Sequence, residues 1–356
     1  MTQLSPDLSA WLDRLDQGEA ISAPELESLL ASTPLTELIE LSHQLTQRSS
    51  STTFNTCAII NAKADGCSCD CAWCAQSRHW NPDVAASEMV DTSTTLIAAH
   101  SAEDKGIGRF SLVTAGRKLS RNDIRKAIVL LETLRTELPQ TELCASFGLQ
   151  TEHELAALKD AGLKRYHCNL ETSEAHFARV CHTHTRADKI ATLKAARSAG
   201  LELCSGCLFG IGETEADRIE LALTLRDLAI PSIPINILSP IAGTPLATAQ
   251  KLSDDAILRA VVILRLANPT AYLRLAGGRN RLHAELVFKM MYAGVNSAIM
   301  GDFLTTEGSS VAEDALCAQL AGYELESAMV VAKSKGALAK KTPLAERTIS
   351  LRPMSR

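Results

Sequence analysis

The segment GCSCDCAWCAQS, residues 66–77, places Cys67, Cys71 and Cys74 at the spacing C-x3-C-x2-C. It comes shortly after an apolar stretch, TCAIINA (56–62), that predicts a β-strand. Three thiolates on one short loop can hold three corners of a [4Fe–4S] cube, which leaves the fourth iron open to a small chelating molecule. The position of the loop directly after the first strand also fits an active site, because (β/α)8 enzymes carry their active sites in such loops.

Seven further apolar segments follow and predict the remaining strands. They are RFSLVTAG (109–116), ELCASFG (142–148), RYHCNLE (165–171), ELCSGCLFGIG (202–212), SIPINILSP (232–240), AYLRLAGG (271–278) and AGVNSAIMG (293–301). Amphipathic helical stretches separate these segments. Eight strands that each precede a helix indicate an α/β fold, a (β/α)8 TIM barrel, rather than an open sheet.

Several helix ends can be read from the sequence. Polar residues followed by an acid, or by proline, predict helix starts at Thr33 with Pro34, Ser120 with Asp123, and Thr151 with Glu154. Gly162 and Gly200 stand where the glycines that terminate helices belong. These signals divide the chain into three predicted parts. They are an N-terminal helical segment (1–50), the barrel (51–325) and a basic C-terminal tail (326–356) that we expect to be disordered.

Composition restricts the kind of protein. The chain has 356 residues with a formal net charge of −5, which gives no electrostatic reason to expect nucleic acid. It contains no apolar run of the ~20 residues that a membrane span needs and no signal-peptide pattern, so we expect a cytoplasmic protein without membrane contact. Disulfides are rare in that compartment, and 4 of the 11 cysteines fall between Cys67 and Cys74. Such crowding usually marks a metal site.

The cysteine motif after the first strand resembles that of the radical S-adenosylmethionine (SAM) superfamily. Within it the chain resembles the biotin synthase family over roughly residues 50–325. The similar segments are CSCDCAWCAQS, RYHCNLETS, LCSGCLFGIGET, PINILSPIAGTPLA, LRLAGGRNRL and AGVNSAIMGDFLTTEG. The resemblance implies that Cys67, Cys71 and Cys74 hold a [4Fe–4S] cluster whose open iron binds S-adenosylmethionine. It further implies sulfur insertion into dethiobiotin, an electron donor such as flavodoxin or ferredoxin, and a homodimer.

The resemblance also assigns binding roles to single residues. Trp73 matches an aromatic residue that meets the adenine of S-adenosylmethionine, and Glu171 matches the acid that binds its ribose. Lys189 falls where the family has an arginine facing the methionine carboxylate. Asn169 and Asn236 match the amides that hold the ureido ring of dethiobiotin.

The family uses an auxiliary cluster, held by three cysteines and an arginine, as the source of sulfur. Cys144, Cys204 and Arg274 match three of those ligands, but the fourth position is Ser111, which cannot act as a thiolate. The changed ligand set leaves the type of cluster open: it is either [2Fe–2S] or a larger cluster with a sacrificial sulfide.

Barrel geometry offers a replacement for the missing thiol. Interior side chains of a (β/α)8 barrel form layers of four from alternate strands. Cys144, Cys204 and Arg274 lie on predicted strands three, five and seven, and Cys57 lies on strand one. We therefore prefer Cys57 to Cys207, which a regular strand would point outward. The other strand and helix cysteines are expected to be small core residues: Cys168, Cys181 and Cys317.

Two alternatives remain at this stage. Another enzyme of the same subgroup, similar to methylornithine synthase or to a hydrogenase maturase, would share the first cluster but would not need the second ligand set. A zinc-binding protein without catalysis would use Cys67, Cys69, Cys71 and Cys74, although structural zinc sites usually draw on two separated ligand pairs.

Overall fold

The computed structural model describes residues 3–64, 66–80, 86–300 and 311–326. All eight predicted strands are present at or near their expected positions, the fifth of them in two pieces, together with one short additional strand. The strands are β1 (Thr53–Lys63), β2 (Arg109–Thr114), β3 (Glu142–Ser146), β4 (Arg165–His167), β5 (Glu202–Cys204), β6 (Cys207–Phe209), β7 (Ser232–Ile237), β8 (Tyr272–Leu275), β9 (Ser297–Ile299) and β10 (Glu324–Leu325).

The strands form one parallel sheet that curls into a barrel. Their order is β5-β4-β3-β2-β1-β9-β8-β7-β6, and β10 pairs with the start of β1. The two ends of this order, β5 and β6, are halves of one predicted strand separated only by Ser205 and Gly206. β5 pairs with β4 and β6 pairs with β7, so the interrupted strand closes the ring. The predicted α/β barrel fold is therefore confirmed.

Helices surround the ring and precede it. They are α1 (Pro6–Asp16), α2 (Ala23–Ser32), α3 (Leu35–Ser49), α4 (Thr92–Asp104), α5 (Arg121–Glu137), α6 (Glu152–Asp160), α7 (Glu174–Val180), α8 (Arg186–Ser198), α9 (Glu215–Asp227), α10 (Asp254–Ala267), α11 (Ala284–Tyr292) and α12 (Val311–Leu320), with a 3-10 turn at Arg279–Arg281. None of the described helices is long and apolar enough to cross a membrane.

Most of the predicted helix ends are confirmed. Ser120 and Thr151 cap α5 and α6 through their side chains, and Gly162 and Gly200 follow α6 and α8 with positive φ angles. The prediction at Thr33 is wrong: Pro34 is the N-cap of α3, and Thr33 instead ends α2. The end of α2 and the start of α3 are adjacent here, so Thr33, which was expected to begin α3, ends α2 instead.

The bottom of the barrel, where the strands begin, is closed by the end of the described chain. The Glu326 carboxylate accepts hydrogen bonds from Asn55 Nδ2 at 3.0 Å and Thr56 Oγ1 at 2.7 Å, both on β1. Asn55 in turn accepts a hydrogen bond from Arg274 Nη2 at 2.6 Å inside the barrel. This end of the barrel is thus sealed by a polar network. Apart from Glu326, the predicted basic tail (326–356) lies outside the described residues.

Candidate active site

The cysteine loop stands at the carboxyl end of β1 and is folded by its own backbone. Cys67 N donates to Gln76 O at 2.7 Å, and Arg78 N donates back to Cys67 O at 2.9 Å. These bonds bring the two ends of the loop together. Cys67, Cys71 and Cys74 are all partly exposed at this end of the barrel, whereas Cys69 is buried. A set of three accessible thiols without a fourth ligand on the loop fits an open [4Fe–4S] cluster.

Asp70 ties this loop to the connection between α7 and α8. Its Oδ1 accepts hydrogen bonds from the backbone of His182 and of Thr183, both at 2.9 Å, and from Thr183 Oγ1 at 2.7 Å. Burial alone would raise the pKa of this carboxyl, but the hydrogen bonds outweigh it and hold the pKa well below its usual range. A further bond joins Ala72 N to Val180 O at 2.9 Å.

The thiols of the loop differ in acidity. A hydrogen bond from Cys69 lowers the pKa of Cys67 to about 6. Burial raises the pKa of Cys74, while the neighbouring Cys181 thiol is the main cause of the raised pKa of Cys71. Cys67 is therefore the most acidic of these three thiols.

A cavity of about 370 Å³ opens inside the barrel from the same end. Its wall takes alternate residues from successive strands, because every second side chain of a barrel strand points inward. All four proposed ligands of the auxiliary cluster line it, as do Ser111 and both asparagines: Cys57, Ser111, Cys144, Asn169, Cys204, Asn236 and Arg274.

The cavity favours the thiolate at two of its three cysteines, while the hydrogen bond with Cys57 is the main cause of the raised pKa of Cys144. A hydrogen bond from Cys144 lowers the pKa of Cys57 to about 6 against the effect of burial, and Arg274 adds to the shift. Burial would raise the pKa of Cys204, but nearby positive groups, chiefly His167, lower it to about 7. Arg274 is itself almost fully buried and donates to Asn55 and to the Ala298 carbonyl. Three thiols beside a guanidinium suit an anionic iron–sulfur cluster.

Cys207 lies elsewhere. Its side chain is fully buried in the apolar core, and its Sγ lies 3.6 Å from Pro234 O rather than on the cavity wall. The strand is interrupted just before it at Gly206, where a Cβ would lie 1.9 Å from Pro234 O. The interruption therefore brings β7 close to this strand but does not turn Cys207 inward.

Both predicted substrate amides also support the barrel wall. Asn169 Oδ1 accepts from Gly206 N at 2.8 Å, at the interruption between β5 and β6. Asn236 bridges its neighbours, since its Nδ2 donates to Cys207 O and its Oδ1 accepts from Gly277 N, both at 2.9 Å. Each oxygen retains a second lone pair that can accept from a ligand in the cavity.

The residues expected to meet S-adenosylmethionine lie between the cysteine loop and the cavity. Glu171 has a φ of 71°, and its Oε1 lies 3.9 Å from Lys189 Nζ. Burial raises the pKa of Glu171, with the lysine opposing the shift. Lys189 Nζ also donates to Asn169 O at 2.8 Å. Trp73 packs edge-on against Phe177, with the ring centroids 6.2 Å apart.

The glycine-rich end of β6 is held by a buried acid. Glu213 accepts from Gly210 N at 3.0 Å and from Ile211 N at 2.9 Å, and it pairs with Arg218 Nη2 at 2.7 Å. The exposed fractions of the two charged side chains are 1% and 7%. The backbone at the end of β6 is thus fixed by a charged pair.

Sequence reasoning missed two groups of residues. Arg109, Arg165 and His167 also line the cavity, and His167 Nδ1 lies 3.3 Å from Cys204 Sγ. The alternation of side chains along a strand could have identified Arg165 and His167, because both share a strand face with Asn169. Cys181, expected to be a core residue, has its Sγ 3.7 Å from Cys71 Sγ. The thiol is buried as expected, but no local pattern links two residues so distant in sequence.

Two known protein families match the chain. The radical SAM superfamily matches residues 63–225, and the Biotin and Thiamin Synthesis associated domain matches residues 234–324. Together with the barrel and its cysteine loop, these matches define a radical SAM enzyme.

Curated relatives narrow the family. The chain is 43% identical to the biotin synthase of Porphyromonas gingivalis over 317 residues, which cover 88% of this chain and 94% of that protein. It is 40% identical to a biotin synthase of Clostridium botulinum over 308 residues, or 86% and 96% of the two chains. The chain therefore belongs to the biotin synthase family. Its reaction is the insertion of sulfur into dethiobiotin, with a [4Fe–4S] cluster, S-adenosylmethionine and an auxiliary iron–sulfur cluster as cofactors.

Solved structures support the fold. Methylornithine synthase (PylB) superposes with a TM-score of 0.74 at 15% identity, covering 90% of this chain and 98% of that one. The FeFe-hydrogenase maturase HydG from Carboxydothermus hydrogenoformans gives a TM-score of 0.76 at 16% identity, with coverage of 90% and 79%. At such low identity the likeness shows a shared barrel and nothing about the reaction.

Proposed function

We propose that the two clusters of this biotin synthase are divided between the loop and the cavity. Cys67, Cys71 and Cys74 hold the radical-generating [4Fe–4S] cluster at the mouth of the barrel. Cys57, Cys144, Cys204 and Arg274 hold the auxiliary cluster within it. The observation that carries this proposal is the common cavity, which is lined by three thiols and a buried guanidinium.

The same cavity suits dethiobiotin. We infer that Asn169 and Asn236 accept from the ureido N–H groups with their free lone pairs, because both side chains face the cavity and are already oriented by backbone bonds. When bound, the radical-generating cluster with S-adenosylmethionine supplies the radical, and the auxiliary cluster supplies the sulfur.

S-adenosylmethionine belongs between the two clusters in this proposal. Trp73 offers an aromatic surface for its adenine, and Glu171 offers a carboxylate for its ribose. Lys189 places a positive charge near its carboxylate, in the position where the family has an arginine. The Lys189 ammonium and the Glu171 carboxyl are 3.9 Å apart, and this proximity supports one binding site that contains both groups.

The remaining proposals concern partners and organisation. We propose that an acidic electron carrier such as flavodoxin or ferredoxin approaches the cysteine loop, since a surface groove beside Cys67 is lined by Lys63, Arg117 and Lys118. A homodimer, a cytoplasmic location, and the division into a helical segment (1–50), a barrel (51–325) and a basic tail (326–356) follow from the family resemblance and the sequence.

The assignment of Cys57 can be tested with a matched pair of variants. Cys57→Ser should lower iron and sulfide content toward that of the radical-generating cluster alone, because it removes a ligand of the auxiliary cluster. The variant should still cleave S-adenosylmethionine but form no biotin. Cys207→Ser is the control, since this thiol is buried outside the cavity and should leave iron content and biotin formation close to wild type.

The opposite pattern would refute the assignment. If Cys207→Ser loses the auxiliary cluster and Cys57→Ser keeps it, the fourth ligand is Cys207. If Ser111→Ala alone removes the cluster, the hydroxyl on β2 is the ligand. Iron and sulfide counts on anaerobically reconstituted protein distinguish these outcomes.

A further inference from the structure

We propose that Cys71, Cys181 and His184 form a binding site for a single zinc-type divalent ion in protein that has not yet received its radical-generating cluster. The site lies at the junction between the cysteine loop and the connection from α7 to α8. This inference goes beyond the biotin synthase reaction, and it rests on the proposed function in one respect: Cys71 is shared with the [4Fe–4S] cluster.

The spacing of the three ligand atoms fits a tetrahedral ion. Cys71 Sγ and Cys181 Sγ are 3.7 Å apart, and Cys181 Sγ and His184 Nδ1 are 3.3 Å apart. One ligand atom from each of the three residues lies within 4.8 Å of the others. Zinc–sulfur bonds of about 2.3 Å and zinc–nitrogen bonds of about 2.0 Å at tetrahedral angles require separations of about 3.8 Å and about 3.5 Å. The ligands therefore need only small movements to enclose an ion.

The surroundings hold two of these ligands in place. Cys181 is the C-cap of α7, and Asp70 Oδ1 lies 3.4 Å from its Sγ. The His184 ring packs edge-on against Phe177 with centroids 5.4 Å apart. These contacts limit the movement of Cys181 and His184 before an ion arrives.

The shared thiol makes the ion and the cluster compete. An ion at this site takes Cys71 away from the loop, so a [4Fe–4S] cluster cannot use all three of its cysteines at the same time. Cys67 and Cys74 take no part in the single-ion site. The ion also links residues 71 and 181–184, which are far apart in sequence, and so holds the mouth of the barrel together.

The site can be examined with Co²⁺, which reports tetrahedral thiolate ligation by its absorption. Full-length protein, freed of clusters and kept reduced and anaerobic, should bind one equivalent of Co²⁺ with a strong sulfur-to-cobalt band, and Zn²⁺ should displace it. Cys181→Ser and His184→Gln should each weaken binding roughly 100-fold. Cys67→Ser and Cys74→Ser are the matched controls and should bind Co²⁺ as the wild type does.

The controls separate this proposal from the proposed function. If Cys67→Ser or Cys74→Ser weakens Co²⁺ binding as much as Cys181→Ser does, the loop alone binds the ion and the proposal fails. Unchanged binding by both Cys181→Ser and His184→Gln also overturns it. After reconstitution, Cys181→Ser should still hold the radical-generating cluster, as measured by its iron content and visible absorption. Zn²⁺ should slow assembly of this cluster in the wild type but not in Cys181→Ser. Loss of that cluster in Cys181→Ser would make Cys181 a cluster ligand and would refute the single-ion site.

Discussion

Replacing Asp70 by alanine should loosen the cysteine loop without removing any cluster ligand. The carboxylate accepts three hydrogen bonds of 2.7 to 2.9 Å from His182 and Thr183, and its side chain is only 14% exposed. In the variant, the backbone N–H groups of both residues lose this acceptor. The loop is then attached to this region mainly by two bonds, from Ala72 N to Val180 O and from the backbone N–H of residue 70 to Thr183 Oγ1.

The expected loss of stability follows from these bonds. A typical hydrogen bond contributes about 1 kcal/mol net, and one to a charged acceptor about 1.5–3 kcal/mol. Water compensates for part of the three lost hydrogen bonds. The free energy of unfolding should therefore fall by about 3 kcal/mol for Asp70→Ala and by about half that for Asp70→Asn. Asparagine keeps one oxygen acceptor but not the charge.

The effect should also depend on pH in a definite direction. The folded pKa of Asp70 is depressed, so its contribution is complete above the unfolded value of about 3.9 and is lost as the pH falls through the folded pKa. The difference between wild type and Asp70→Asn should therefore be constant near neutral pH and shrink below about pH 4.

Urea denaturation of the cluster-free protein measures the stability difference, and hydrogen exchange of the 181–184 amides measures the loosening. Asp188→Asn is the matched control, since its carboxylate accepts from Thr185 N and so caps α8 rather than the cysteine loop. Unchanged exchange at residues 181–184 in Asp70→Ala would show that the loop is held by other contacts, and the reasoning would be refuted.

Three further changes test other parts of the site. Cys71→Ala should abolish S-adenosylmethionine cleavage while circular dichroism stays native; continued 5′-deoxyadenosine formation would remove this loop from the radical step. Asn236→Ala should weaken dethiobiotin binding by about 1–3 kcal/mol, far more than S-adenosylmethionine binding, and equal losses in calorimetry would argue against a substrate contact. Glu213→Ala leaves the Arg218 charge buried and should lower the free energy of unfolding by about 3–5 kcal/mol; a loss below about 1 kcal/mol in urea would show that water reaches the pair.

The fold was largely predictable because the barrel strands carry strong local signals. Apolar runs bounded by glycine and helix caps located all eight strands, and the same alternation put Cys57, Cys144 and Cys204 on inward-facing positions. The interruption between β5 and β6 was not predictable. It depends on the close approach of Gly206 to Pro234 O, a contact between neighbouring strands that single-sequence patterns do not contain.

The site was predictable only where its residues belong to motifs. The cysteine loop is one short segment, so its spacing alone indicated a cluster. Cys181 appeared as an ordinary core residue because its significance lies in a thiol 3.7 Å away on another part of the chain. Arg109 gave no signal either, since its role comes from facing a cavity that exists only once the barrel closes.

The pairing of β1 with both β9 and β10 sets the order in which this enzyme can mature. The strand that carries Cys57 is among the first to leave the ribosome, but its partner strands at Ser297–Ile299 and Glu324–Leu325 are among the last. Chains emerge at about 5–20 residues per second, so β1 waits for many seconds before its final neighbours exist. The cavity cannot be enclosed during that interval. We therefore expect the sulfur-donating cluster to enter only once β9 and β10 have formed, when synthesis of the chain is almost complete.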